Sequence, residues 1–205
     1  MVGAGGHARV VIGVLLDCGL RVTGAIDHDP ARHHADVLGV PVIGDDEALR
    51  VCKPADVLLA NGVGGAVCPE ARRQVFERFK SQGYEFVTLK HPAAIVAADA
   101  VIGEGAQVMA GTVIQPGCQI GANSIINTGA TIDHDCTIEG HAHVAPGATL
   151  CGRVRVGAGA HIGAGATVIQ DVQVGSASLI AAGGVLVCDC PENALFGGVP
   201  AKDMK

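Results

Sequence analysis

The 205 residues are 49% hydrophobic, contain one Tyr and no Trp, and carry a net charge of −6 at pH 7. A chain of this length forms one or two domains, and its acidic balance argues against general binding to nucleic acid, which requires a basic surface. No uninterrupted apolar run is long enough to cross a bilayer, so the sequence predicts no membrane-spanning helix.

The start of the chain and its cysteines indicate the compartment. The first residues lack a charged segment followed by an apolar core, the pattern of a secretory signal. Without such a signal the eight cysteines are expected to be reduced. This holds although Cys118 and Cys136 are separated by one full coil of the fold predicted below, which stacks them closely enough for a disulfide. We therefore expect a cytoplasmic protein.

Residues 1–90 alternate strand-like and helix-like segments, which predicts a parallel α/β sheet in a Rossmann-like domain. The first strand is very short, which leaves open whether the natural start lies upstream. The predicted elements are an apolar helical run at 10–16, strands at 21–27, 40–43, 57–60 and 85–89, helices at 45–51 and 69–82, and a polar loop at 27–36. His91 and Pro92 mark the hinge to a second domain at 91–205.

A glycine-rich turn follows the first strand. Residues 3–8 fit the pattern G-x-G-x-x-A, and the acidic Asp27 ends the next predicted strand. Such glycines let a phosphate approach the backbone N–H groups at the start of a helix. Three interpretations remain open: a nucleotide-type ligand, a nicotinamide dinucleotide, or a purely structural turn. The small domain and the short first strand favour the nucleotide-type ligand.

From residue 96 to residue 186 an aliphatic residue recurs at every sixth position without an insertion. These positions are Val96, Ile102, Val108, Ile114, Ile120, Ile126, Ile132, Ile138, Val144, Leu150, Val156, Ile162, Val168, Val174, Ile180 and Leu186. A period of six predicts a left-handed parallel β-helix of hexapeptide repeats, in which three successive hexads close one triangular coil. Ordinary β-hairpins would instead alternate with a period of two. We expect about five coils and a height of roughly 24 Å.

Ionisable residues concentrate in about one of these coils. They are Asn127, Asp133, His134, Asp135, Glu139, His141 and His143. The aliphatic residues occupy the inward positions, so we expect these side chains to point outward and to cluster. A histidine between two carboxylates is suited to general-base catalysis, because the negative charges raise its basicity. The alternative is that His134 lies on a solvated corner without a function.

Two other histidines suggest a different use of the same coil. His143 and His161 are separated by three hexads, one full coil, and should stack on one face. Three outward histidines would suit zinc, as in the trimeric γ-class carbonic anhydrases, so a metal site stays a second alternative.

The chain resembles the bacterial sugar acyltransferases of the sialic acid O-acetyltransferase (NeuD) type. Its closest likeness is to the N-acetyltransferases of nucleotide-linked 4-amino sugars of the GDP-perosamine and UDP-bacillosamine type. The matching motifs are GAGGHARVV at the start, His91-Pro92 at the hinge, INTGA and DHDC in the repeats, and FGGVPAK near the end.

The resemblance implies a homotrimer that binds acetyl-CoA between adjacent subunits, with His134 as the general base and Asp135 raising its basicity. It implies no metal. It also implies that acetyl-CoA contacts the side chain of His143 and backbone groups at Gly152, Ala164 and Ala182. The residues implied to bind the nucleotide-linked amino sugar are Gly5, Gly6, His7, Asp27, His28 and Gly62.

The predicted reaction is direct acetyl transfer from acetyl-CoA to the 4-amino group of a nucleotide-linked amino-deoxysugar, without an acyl-enzyme. The first alternative is O-acetylation of a sialic-acid-like sugar. A metal-dependent hydratase and a non-catalytic nucleotide-sugar-binding scaffold are the alternatives from other functional classes. No membrane or nucleic-acid partner is expected.

Overall fold

The computed structural model describes residues 1–65 and 69–204, and of Pro69 only the backbone. The N-terminal domain is built from short elements around two helices. These are α1 (Gly6–Asp17), β1 (Asp36–Val37), β2 (Val40–Pro41), β3 (Leu58–Leu59), α2 (Pro69–Ser81) and β4 (Glu85–Phe86), with 3-10 helices at Pro30–Arg32, Asp46–Leu49 and Pro54–Asp56.

The sheet of this domain is parallel around Val2, as the sequence predicts. Val2 forms parallel bridges with Ile26 on one side and Asn61 on the other, and β3 pairs in parallel with β4. Ala25 pairs in parallel with Val42 at the far edge. The carboxyl ends of these strands therefore meet beside the start of α1, where ligands bind in open α/β sheets.

Several predicted boundaries in this domain are wrong. The strand predicted at 21–27 is reduced to bridges at Ala25 and Ile26. β1 begins at Asp36, the last residue of the predicted polar loop, and pairs antiparallel with β2. The helix predicted at 45–51 is a 3-10 helix of four residues. These elements are very short, so hydrogen bonds to neighbouring segments define them more than any local sequence period does.

The strand predicted at 85–89 is divided between the two domains. The Val87 N–H donates to Leu59 O in the N-terminal sheet, whereas the Leu89 N–H donates to Ala106 O in the repeats. Leu89 is buried under α1, next to Val11 and Leu15. The first strand of the solenoid, β5 (Leu89–Lys90), therefore begins before the predicted boundary at residue 90.

The repeats form a parallel β-solenoid of hexapeptides with three faces, which confirms the predicted architecture. The covered face, on which the N-terminal domain packs, contains β5, β8 (Gln107–Val108), β11 (Ile125–Ile126), β14 (His143–Val144), β17 (His161–Ile162), β20 (Leu179–Ile180), β22 (Leu195–Gly197) and β23 (Lys202–Asp203). The threonine face contains β6 (Ile95–Val96), β9 (Val113–Ile114), β12 (Thr131–Ile132), β15 (Thr149–Leu150), β18 (Thr167–Val168) and β21 (Val185–Leu186). The open face contains β7 (Val101–Ile102), β10 (Gln119–Ile120), β13 (Thr137–Ile138), β16 (Arg155–Val156) and β19 (Gln173–Val174).

Strands of successive coils pair in register three hexads apart, for example Ile120 with Ile138 and His143 with His161. The repeating aliphatic residues point inward and are buried, except Val96 and Ile102 at the first coil, which are partly exposed. Because each side chain stacks on its equivalent one coil away, the core is a continuous column of branched side chains.

From Ile102 to Ile180, the third residue after each inward aliphatic turns the corner with a positive φ. Eight of these positions are glycines, with φ between 64° and 76°, where the lack of a Cβ removes the steric cost. Six others are not glycine: Asn123, Asp135, His141, Arg153, Asp171 and Ala177, with φ between 55° and 63°. Asn and Asp tolerate this conformation better than most residues.

Among the described residues no helix combines the length and the apolar character that crossing a membrane requires.

The hexad register predicts that adjacent residues on β10 differ sharply in their sensitivity to charge. Ile120 is 2% exposed in the core. Ile120→Asp loses about 1.5–3 kcal/mol of apolar burial and adds the cost of an unpaired buried carboxylate. We expect this variant not to fold, as measured by circular dichroism and thermal unfolding.

The matched control is Gln119→Asp on the same strand, where the side chain is exposed. Its melting temperature should stay close to that of the parent protein. Equal losses in the two variants would show that the inward and outward positions are assigned incorrectly.

Candidate active site

The corner between the threonine face and the open face, here called the histidine corner (133–136 and its equivalents 151–154 and 169–172), holds Asp133, His134 and Asp135. His134 Nδ1 lies 2.8 Å from Asp135 Oδ2, and the His134 N–H donates to Asp133 Oδ1 at 2.8 Å. The hydrogen bond with Asp135 raises the pKa of His134, and the charge of Asp133 adds to this. The side chain is therefore oriented by one carboxylate, and its Nε2 is left for a proton transfer.

Two glycines make room for this pair. Gly117 lies one coil before Asp135, and a Cβ at Gly117 would collide with the Asp135 carboxylate. Gly152 lies one coil after His134, where a Cβ would be 2.6 Å from His134 Nε2. The imidazole ring therefore lies against Gly152, whose N–H takes part in none of the described backbone hydrogen bonds.

An ion pair continues the histidine corner beyond Asp135. Arg153 Nε lies 2.6 Å from Asp171 Oδ1, and Arg153 Nη2 lies 2.7 Å from Asp171 Oδ2. Neither Arg153 nor Asp171 was predicted from the sequence to belong to the site. Their positions, one coil and two coils after Asp135, are the signal that would have placed them in the same column.

His143 occupies a very different environment on the covered face. It is 7% exposed, and its ring centroid lies 4.7 Å from that of His161. Asn127 Oδ1 accepts the Thr128 N–H at 2.8 Å, so the Asn127 amide nitrogen faces His143 Nε2 at 3.1 Å and donates to it. The proton of the neutral ring therefore lies on Nδ1.

Burial keeps this histidine neutral. Desolvation, followed by the nearby His161, lowers the pKa of His143 to about 3. The Nδ1 atoms of His143 and His161 are buried and have no hydrogen-bond partner among residues 1–65 and 69–204. Gly65 lies against the His143 ring, because a Cβ at Gly65 would be 3.3 Å from Nδ1. The Nδ1 atom of His143 is therefore enclosed beside the Gly65 backbone and does not face solvent.

A cavity of about 670 Å³ opens in the N-terminal domain at the glycine-rich turn. All six residues that the sequence implies for the nucleotide-linked sugar line it: Gly5, Gly6, His7, Asp27, His28 and Gly62. Asp27 Oδ2 accepts the Ala4 N–H at 2.7 Å and so closes the turn. The N-terminus of α1 has no side-chain cap and no acidic residue in its first turn, which leaves its N–H groups available to an anion.

Arg32 also lines this cavity and was missed from the sequence. Its guanidinium lies over the glycine turn, because a Cβ at Gly5 would be 3.2 Å from Arg32 Nη1. Arg32 Nε lies 3.5 Å from Asp29 Oδ2, and Arg32 Nη1 lies 3.9 Å from Asp27 Oδ2. The sequence placed it in a polar loop, where a single cation carries no distinguishing signal.

The cavity is joined to the solenoid by a buried polar network. His7 Nε2 lies 2.8 Å from Gln107 Oε1, and the Gln107 amide donates to Asn61 O at 2.8 Å. Arg72, 1% exposed, donates to Asn61 O, to Val63 O and to Asn123 O at 2.7–3.1 Å. These bonds fix one wall of the cavity, around Gly62, against the repeats.

Family models match both parts of the chain. Residues 1–79 match the PglD N-terminal domain, and residues 99–134 match the bacterial transferase hexapeptide of six repeats. No sequence in the curated set of proteins matches.

Solved structures extend this likeness over the whole chain. The chain is 40% identical to perosamine N-acetyltransferase from Caulobacter crescentus, solved as a histidine variant with CoA and GDP-perosamine. That match covers 100% of this chain and 95% of the other, with a TM-score of 0.93. This chain belongs to the NeuD-type sugar acyltransferases. It is also 37% identical to the acetyltransferase domain of PglB from Neisseria gonorrhoeae, with coverages of 99% and 97% and a TM-score of 0.91.

The acyltransferase does not gather its ionisable residues into one cluster, so that expectation is wrong. His134 and His143 are half a coil apart in the chain, and they lie on different sides of the prism. Glu139 accepts the Ala158 N–H at 3.0 Å, and His141 packs edge-on against Phe76 of α2. Nor do three histidines converge: within the described ranges no group of three or more His, Cys, Asp or Glu side chains is arranged to hold a metal ion.

The positions expected to bind acetyl-CoA are also divided. Gly152 lies on the histidine corner beside His134, whereas His143 lies on the covered face. Ala164 and Ala182 are exposed on the alanine corner (163–166 and 181–184), between the covered and threonine faces. These two corners are opposite edges of the threonine face, so one chain alone does not bring them together.

Because the acyltransferase buries histidines, we expect its free energy of unfolding to fall on mild acidification. The pKa is lowered to about 4 for His7 and to about 3 for His143, in both cases mainly by desolvation. Between pH 6.5 and 4.5 these groups take up protons in the unfolded chain but not in the folded one. The free energy of unfolding should therefore fall by about 1.4 kcal/mol per pH unit for each of them.

Urea unfolding at several pH values and one protein concentration measures this slope. His143→Gln should reduce the slope by the contribution of one histidine, because glutamine does not titrate. A slope that is unchanged in this variant would contradict the assignment of a neutral His143.

Proposed function

We propose that the protein is an acetyl-CoA-dependent N-acetyltransferase that acts on the 4-amino group of a nucleotide-linked amino-deoxysugar. The His134–Asp135 pair carries the proposal, since it gives an oriented base of raised basicity at an exposed corner. The 40% identical enzyme with CoA and GDP-perosamine supports the choice of substrates.

In the proposed reaction His134 Nε2 takes a proton from the sugar amine while the amine nitrogen attacks the thioester carbonyl. Asp135 holds the Nδ1 proton and stabilises the imidazolium that forms. The new C–N bond forms as the C–S bond breaks, and CoA leaves. Gly152 lies against the ring, and its N–H is the proposed donor to the developing oxyanion. The transfer needs no acyl-enzyme.

The nucleotide part of the acceptor is proposed to occupy the cavity at the glycine turn. Its diphosphate would accept hydrogen bonds from the N–H groups at the start of α1, beside Gly5, Gly6 and His7. Asp27, His28 and Gly62 form the rest of the wall, and Arg32 supplies a positive charge over the turn.

Acetyl-CoA is proposed to bind between subunits of a homotrimer. The alanine corner of one subunit (Ala164, Ala182), with His143 beside it, would face the histidine corner of its neighbour (His134, Gly152). A closed three-fold ring is the usual solution for such head-to-tail contacts. We place this reaction in the cytoplasm, and the free state of the seven described cysteines is consistent with a reducing compartment.

The deciding experiment is a screen for CoA release with UDP-, GDP- and dTDP-linked 4-amino sugars, each beside its 4-hydroxy analogue. Release that requires the amine supports N-acetylation. Release with the hydroxy analogue instead would favour the O-acetyltransferase alternative. No release with any acceptor would contradict the proposal.

Substitutions at the histidine corner should separate the two members of the pair. His134→Ala should lower kcat on the order of 10² to 10⁴ and leave the Kd of acetyl-CoA nearly unchanged. Asp135→Asn should lower kcat by roughly tenfold and move the acidic limb of the kcat/KM–pH profile to lower pH, because His134 loses the carboxylate that raises its pKa.

His143→Ala is the control, because it should weaken acetyl-CoA binding more than it slows the chemical step. Near-normal turnover of the His134→Ala protein would show that the base lies elsewhere, or that the amine binds unprotonated and water suffices.

Subunit mixing tests whether the site is shared. His134→Ala removes the base, and Ala182→Trp fills the opposite corner, so each homotrimer should be inactive. Trimers re-formed from an equal mixture should recover about a quarter of the parental activity. A site is active when one subunit supplies an intact His134 and its neighbour supplies an intact Ala182. In random trimers each condition is met with a probability of one half, so one quarter of the sites are active.

Sedimentation equilibrium provides the accompanying control, with an expected mass of three 20.6 kDa subunits. A monomeric protein, or trimers that recover no activity on mixing, would contradict a site built between subunits.

A further inference from the structure

The histidine corner contains a column of alternating charge, and the proposed reaction uses only its first member, Asp135. Asp135, Arg153 and Asp171 occupy the same corner position in three successive coils, with φ of 59°, 61° and 63°. Their side chains therefore start from equivalent backbone positions, about 4.8 Å apart along the solenoid axis. Arg153 lies midway between two carboxylates.

Arg153 pairs with only one of them. Its Nε and Nη2 atoms contact both carboxylate oxygens of Asp171, at 2.6 and 2.7 Å. No ion pair joins it to Asp135 in the part of the chain that the structure describes. Asp135 instead holds His134 Nδ1 at 2.8 Å.

Pairing of Arg153 with Asp135 instead of Asp171 would disturb His134, the proposed base. A guanidinium binds a carboxylate through two parallel hydrogen bonds, so Arg153 is a strong competitor for Asp135. If Arg153 turned toward Asp135, the Asp135 carboxylate would bind a permanent cation as well as His134. The hydrogen bond between Asp135 and His134 Nδ1 would then be weaker. The charge of Arg153 would also lie nearer to the imidazole.

We propose that Asp171 is a positioning residue for the base: by holding Arg153 in a two-point ion pair, it keeps that guanidinium off Asp135 and leaves the carboxylate to His134. This inference rests on the proposed role of His134 as general base. Asp171 lies two coils from Asp135, about 10 Å along the axis. Its charge also interacts directly with His134, so the test must separate this direct effect from the one that acts through Arg153.

The groups that face His134 from every side are few. Asp133 and Asp135 flank it on its own coil, and Arg153 and Asp171 follow on the next two coils. On the side of the preceding coils, Asp99 accepts the Gly117 N–H at 3.0 Å. The thiols of Cys118 and Cys136 beneath the corner bond to the carbonyl oxygens of Asp133 and Cys151.

The test is a double-mutant cycle with two measurements. The pKa of His134 is measured by NMR in protein labelled at histidine ring carbons, and kcat/KM is measured across pH. Asp171→Asn should move both the pKa and the acidic limb to lower pH, because the released Arg153 competes for Asp135. Arg153→Met should move both to higher pH, since the competing cation is removed.

The double variant separates an indirect effect from a direct one. In the Arg153→Met background, Asp171→Asn should shift the pKa of His134 much less than it does in the parent protein. Asp171→Glu should restore the parental profile, because glutamate retains the two-point pairing. The melting temperature should change little throughout, since exposed ion pairs contribute little to stability.

Equal shifts in both backgrounds would mean that Asp171 acts through its own charge, which would overturn the inference. So would an unchanged His134 pKa in Asp171→Asn. A shift of the NMR pKa without a shift of the kcat/KM profile would support the role of Asp171 and instead contradict His134 as the base.

Discussion

In-register stacking of residues one coil apart is the constraint on which the rest of the molecule depends. Backbone hydrogen bonds between coils fix the position of each residue along the solenoid axis. Burial of the aliphatic residues fixes which side chains point inward and which point outward. Outward side chains are therefore less constrained than inward ones, although one residue of each corner must tolerate a positive φ. The chemistry occupies those positions, and each functional side chain has a defined neighbour one coil above and one below.

His134 and His143 show how environment gives one residue type two opposite pKa shifts. His134 lies on an exposed corner beside a carboxylate, which favours the imidazolium and raises its pKa. His143 is buried next to His161 and within the field of Arg72, which favours the neutral ring. A base needs the first environment, whereas a permanent hydrogen-bond donor needs the second. The half coil between them places the two environments on different sides of the prism.

The sequence predicted the solenoid well, because its period is a direct record of which side chains point inward. The six residues implied by motif likeness all line the cavity at the glycine turn, and their role in binding a nucleotide stays a prediction. The short strands of the N-terminal domain were less predictable, since pairings such as Val2 with Asn61 depend on residues far apart in the chain. Arg72 was missed because a cation on a helix normally faces solvent, whereas here three backbone carbonyls surround it.

The coil repeat also fixes the difference in height along the solenoid axis between the cavity at the glycine turn and His134. Gln107, which anchors His7 of the cavity, precedes His134 by one and a half coils, so the two differ in height by roughly 7 Å. Insertion or deletion can change this height only in whole coils if every strand is to keep its partner. The height between the cavity and His134 is therefore fixed in steps of about 4.8 Å. Under the proposed function, one coil more or fewer between these points would change the length of the acceptor that fits, not merely its stereochemistry.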